Sequence, residues 1–226
     1  MNFVFNAPLS PFAGGPQPMI TKPIARALVA HLSALHHTTV VYPDDAAAVV
    51  ARGALDALAH GLPVLRDVAD AIAVRAQRVS VTFPTPLGTV VLVSPEADGD
   101  PEQLAVTGSH EHEHAVQIEG VGGVQAIVDH VEPELRARAE ADAKATGLAV
   151  RWFLTGVVPA LDDALASIAG ETYHLGADHV ALARGVLESH RATMEAGLCP
   201  PLRVALEVLA WLRANHPELV LATVAS

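Results

Sequence analysis

The sequence predicts an α+β fold, mostly helical, in which a small sheet packs beside one long helix. Three observations predict it: a core made of small aliphatic residues, successive apolar runs at helical spacing, and short β-branched runs bracketed by prolines. Hydrophobic residues make up 51% of the 226-residue chain and aromatics only 4%, so Ala, Val and Leu must build the core. Such a composition favours helices that pack through small faces. The length suffices to bury a substantial core. With no internal repeat and no low-complexity linker, one domain is expected over residues 21–226. An extended arm over residues 1–20 precedes it, with Pro8, Pro11, Pro16 and Pro18 around Gly14 and Gly15.

The elements follow in order. Thr21 as a cap and Pro23 in the first turn open a helix reaching His37, with Ile24, Leu28, Val29 and Leu32 on its apolar stripe. Residues 38–42 are β-branched and aromatic, and Pro43 and Asp44 stop them, which predicts a short strand. Asp44 or Asp45 then caps an alanine-rich helix ending near Gly61, and residues 63–77 repeat the helical pattern through Leu65, Val68 and Ile72. Residues 79–83 alternate, Pro84, Thr85 and Pro86 break the run, and residues 88–94 follow as a second one. The two predict an antiparallel pair around the proline turn. Asp100 and Pro101 read as a cap and first-turn proline. The helix they open carries Leu104, Val106, His110, His114 and Ile118 and ends at Gly120. Further helices are predicted over residues 133–154, 160–169, 178–196 and 201–215.

Charge and cysteine usage narrow the function. Against 25 Asp and Glu stand 14 Lys and Arg, a formal net charge of −11. That balance disfavours nucleic-acid backbones, which attract basic surfaces. Cys199 is the one cysteine, so no internal disulfide and no thiolate zinc cage can form, and without a partner or a cationic neighbourhood it reads as an inert thiol. Neither a signal peptide nor an apolar stretch long enough to span a bilayer is visible, pointing to a cytoplasmic or virion-associated protein. No Gly-rich phosphate loop with a following Lys and no Gly-x-Ser-x-Gly elbow is present, which argues against nucleotide-dependent and serine-hydrolase chemistry.

The stretch His110-Glu111-His112-Glu113-His114 contains H-E-x-x-H. On a helix His110 and His114 share a face and can reach one metal ion, while Glu111 stands close enough to act as a base. On a strand His110, His112 and His114 would instead point to one side, the geometry of a different metal-dependent hydrolase. The helical spacing of residues 105–117 and the absence of β-branched neighbours favour the helix, with His112 turned away from the metal into a hydrogen-bonding or surface role.

With the preceding strand and the carboxylate-bearing helix that follows (Arg138, Glu140, Asp142), residues 88–153 resemble the gluzincin-type zincin metallopeptidases. The resemblance implies a zincin-like domain holding Zn2+, with Glu111 as general base and a peptide or protein as substrate. It implies a third ligand from a glutamate on a later helix, where Glu140 matches best and Asp142, Asp129 and His130 are the alternatives. It also implies that the strand before the motif is a sheet edge that pairs with substrate, here along residues 89–93. The metzincin variant is excluded, because Gln117 and Gly120 stand where it has Gly and His. The Glu-x-x-x-Asp form also fails, since Lys144 takes the aspartate place and leaves Asp142 only as a supporting neighbour. Ala137, Ala143 and Gly147 share a face with Glu140, so its helix can approach the metal helix closely.

Tyr173 and His174, at a loop-like junction before Gly176, are candidates to stabilise an oxyanion, though such a pair more often packs. His179 and His190 read as structural histidines. A second class of function stays open: a structural or assembly protein, such as a phage particle component, that keeps the scaffold with zinc as a staple or with none. The arm would then join it to a homo-oligomer or to a larger particle.

Overall fold

Prolines open several of the helices, at Pro23, Pro95, Pro101 and Pro133, and glycines close several, at Gly122, Gly156 and Gly170. The computed structural model describes residues 18–45, 80–85, 88–122, 132–170 and 175–225. Helix α1 (Lys22–Leu35) leads into strand β1 (Thr38–Val41) through His37, which turns the chain at φ +50°. Strands β2 (Val81–Thr85) and β3 (Gly88–Leu92) follow. Then come α2 (Pro95–Gly99), α3 (Pro101–Val121), α4 (Pro133–Thr155), α5 (Asp162–Ala169), α6 (Ala177–Glu195) and α7 (Arg203–Asn215), with a short 3-10 turn at Pro217–Leu219. These elements form a single, mostly helical α+β domain. Most of the predicted arm, and the helices predicted up to Gly61 and over residues 63–77, lie outside the described residues. Among the described residues, no helix is long and apolar enough to cross a membrane.

The sheet corrects one expectation. Its strand order is β1-β3-β2, with β1 parallel and β2 antiparallel to β3. Val90 of β3 is flanked by Thr39 and Phe83, so the strand expected to be a free edge is the central one, its backbone paired on both sides. Among the described residues the edges are β1 on one side and, on the other, β2. It also runs on through Pro84 and Thr85, where the prolines predicted a break. An edge strand tolerates the missing N–H of Pro84, whereas a central one would not.

Helix α3 is the hub. Asp100 caps it by accepting hydrogen bonds from the amides of Glu102 and Gln103 at 2.9 and 3.1 Å, and Gly122, at φ +83°, closes it. α4 runs antiparallel alongside. Arg151 near the end of α4 reaches Glu102 at the start of α3, while Gln117 near the end of α3 reaches the Ala139 carbonyl early in α4. Between these ends Gly147 lets the backbones close up: a Cβ there would lie 3.2 Å from Val106 Cγ1 and 4.0 Å from His110 Cβ. α1 crosses α3 still more tightly, since a Cβ at Gly108 would lie 2.5 Å from Val29 Cγ2. Phe153, Leu104, Leu187, Met194, Ile168 and Leu212 fill the core around these crossings.

Candidate metal centre

His110 and His114 project from α3 toward α4, where Glu140 meets them. Glu140 Oε2 lies 3.9 Å from His110 Nε2, and Oε1 lies 3.7 Å from His114 Nε2. The two imidazoles stand edge to face with centroids 4.8 Å apart. One ligating atom from each of the three residues falls within 4.8 Å of the others. Ligands on a common tetrahedral zinc ion would sit about 3.3 Å apart, so side-chain shifts of about 0.5–1.5 Å would bring the three atoms together around one. Only 6% of the Glu140 side chain is exposed, against 12% for His110 and 19% for His114, so the cluster opens outward past the histidines.

Electrostatics supports a cation there. Burial pulls His114 down, but the Glu140 and Glu111 carboxylates outweigh it and hold the ring at about 9. Burial would raise Glu140, yet the charge of His114, with His110 and Lys144 behind it, holds its carboxyl well below the usual range. His110 is driven well below the ordinary imidazole value by burial and by the neighbouring His114. The Glu140 carboxylate thus favours positive charge at His114. Even so, Glu140 Oε2 is buried without a hydrogen-bond partner. A buried carboxylate oxygen without a partner is costly, and a metal ion bridging to the imidazoles would remove that cost. Two imidazoles and a carboxylate are a donor set that suits Zn2+.

Glu111 is held beside the cluster by β2. The Thr82 hydroxyl lies 2.8 Å from Glu111 Oε2 and 2.9 Å from the Glu111 carbonyl, two acceptors that share its one proton. Burial raises the Glu111 carboxyl above its ordinary value, against the opposing pull of His114 and Thr82. That is the direction a general base needs to work near neutral pH.

The remaining motif positions do structural work. His112 is fully buried and points away from the cluster, with Nδ1 2.7 Å from the Gly108 carbonyl and Nε2 3.1 Å from Thr38 Oγ1. Burial lowers it to about 4. Glu113 accepts from the Thr146 hydroxyl at 3.0 Å and from the Val204 amide at 3.3 Å, satisfying a first-turn donor of α7 that no side chain at Leu202 caps. Asp142 is outside the three-residue cluster and pairs instead with α6, its carboxylate 3.0 Å from His190 Nε2, because two residues along a helix turn a side chain away from the Glu140 face. Cys199 is half-buried and free, its thiol pushed up to about 11 by burial. Tyr173, His174, Asp129 and His130 lie outside the described residues.

Gln117, Thr82 and Lys144 also belong to the site, though none of them was assigned a role there from the sequence. Gln117 carried a signal, since it follows His114 by one helical turn. Lys144, one turn from Glu140, acts electrostatically on His110, Glu111 and Glu140. Thr82 had no local signal, because only the docking of β2 on α3 brings it to Glu111. Comparison of the chain with protein-family models, with curated proteins and with solved structures gives no match.

Proposed function

We propose that the chain is a zinc-dependent metallopeptidase with a divergent gluzincin-type site. The observation that carries this reading is the meeting of His110, His114 and Glu140 around an unpartnered carboxylate oxygen, with Glu111 beside them. His110 and His114 through Nε2 and Glu140 through its carboxylate would hold the ion. Zn2+ in such a site supplies Lewis acidity, lowering the pKa of water to about 7 and polarising a carbonyl. Thr82 fixes Oε2 of Glu111 and so orients the carboxylate, which takes a proton from the attacking water and returns it to the leaving amine. The half-exposed edge strand β2, carrying Thr82, is the surface along which an extended peptide would pair, in place of the central β3.

The test is Glu111→Gln. It is expected to leave zinc content unchanged and to abolish cleavage of a peptide library that the chelator-sensitive wild type cuts. Cleavage by the variant at the wild-type rate would sink the reading. A wild type that binds zinc, melts on chelation and cuts nothing would favour a structural zinc in an assembly protein.

A further inference from the structure

We propose that Gln117 is a positioning residue that presents His114 to the metal by holding its imidazole in the Nδ1–H tautomer. The inference rests on the metal-centre reading above but needs no peptide hydrolysis. It follows from the directions of two hydrogen bonds. The Gln117 side chain meets the Ala139 carbonyl through Nε2 at 3.1 Å. A carbonyl only accepts, so the amide nitrogen must face it, and this settles which way round the amide sits. Oε1 then faces His114 Nδ1, 2.8 Å away. Oε1 carries no proton, so Nδ1 must donate. In the neutral ring the lone pair is therefore on Nε2, the atom 3.7 Å from Glu140 Oε1.

The backbone makes this arrangement specific. Gln117 follows His114 by three residues and so shares its face of α3. Ala139 immediately precedes Glu140 in α4. One amide thus ties the His114 ring to the peptide next to the third ligand, and the spacing between ligands from two different helices runs through it. A carboxylate often takes this role beside a metal-bound imidazole. An amide does the same orienting without adding a negative charge to a cluster that already holds Glu111 and Glu140, and it alone can also donate to Ala139.

The experiment uses Zn2+ alone, titrated in competition with a chelating dye into wild type, Gln117→Leu and Gln117→Glu. It is paired with 15N NMR of the imidazole nitrogens in the wild type. Loss of the orienting partner is expected to weaken zinc about 10–100-fold in Gln117→Leu. Gln117→Glu can still accept from Nδ1 and is expected to bind within a few-fold of wild type. The zinc-loaded wild type is expected to show His114 with a proton on Nδ1 and metal on Nε2. Wild-type zinc affinity in Gln117→Leu, or His114 bound through Nδ1, overturns the proposal. If Gln117→Leu fails to fold, the wild-type NMR assignment decides alone. A wild type that takes no zinc at all fails differently: it removes the metal centre on which the inference rests.

Discussion

Replacing Glu140 by glutamine keeps the shape of the side chain and removes its charge, which isolates its contribution to metal binding. Four-ligand structural zinc sites bind with about 10–16 kcal/mol, or about 3 kcal/mol per ligand. Losing the carboxylate should therefore weaken zinc about 100-fold, at 1.4 kcal/mol per tenfold change. The geometry supports a large effect, because Glu140 is buried against both imidazoles and its Oε2 has no other partner. Asp142→Asn is the matched control. Asp142 pairs with His190 on α6, so this variant is expected to bind zinc as wild type does and to lose only a little stability. Elemental analysis and competition with a chelating dye read both. A Glu140→Gln protein that keeps one zinc at wild-type affinity would refute the reasoning, as would an equal loss in Asp142→Asn.

Other perturbations test the scaffold. Glu113→Ala orphans the Thr146 hydroxyl and the Val204 amide, and at about 1–3 kcal/mol for each buried unpaired group it should cost about 3 kcal/mol in urea unfolding; a midpoint equal to wild type would refute the capping role. Gly108→Ala puts a Cβ 2.5 Å from Val29 Cγ2, and a β-branched residue in a helix has little rotamer freedom to yield. Overpacking of about 1–3 kcal/mol should outweigh the gain of about 1 kcal/mol in helix propensity, so a raised melting temperature would count against the tight crossing. Asp98 feels burial pushing its carboxyl up, but hydrogen bonds from Lys22 and Arg26 prevail and lower it. Its stabilising effect is therefore present above the ordinary carboxylate pKa and is lost as pH falls through the lowered folded value. Asp98→Asn should cost about 2 kcal/mol at pH 7, and a gap from wild type that persists undiminished in strong acid would contradict the sign.

Much of the helical framework was legible because its signals are local. Asp100 with Pro101, and Gly156 after α4, act within a turn of where they stand, through orphan amides and left-handed backbone, whereas α3 runs past the expected stop at Gly120 and closes at Gly122. Gly147 as a place of close approach was legible for the same reason, as a missing side chain on a defined helix face. Strand order was not. The residues of β3 alternate the same way whether one neighbour or two pair with them, so only the arrival of β1 reveals β3 as central. The partner of Asp142 was not legible either, because only the packing of α6 on α4 brings His190 to it.

The spacing within residues 110–114, once on a helix, determined by itself that His110 and His114 share a face, since helical periodicity is a property of the local backbone. Whether that face meets a third ligand depended on how α4 packs, which comes from burial spread over the whole core. Tertiary structure alone brought Glu140 to within 3.9 Å of both rings, docked Thr82 on Glu111 and turned Gln117 between His114 and Ala139. Except for the step from His114 to Gln117 within one helix, those contacts join residues more than twenty positions apart, and packing decided them.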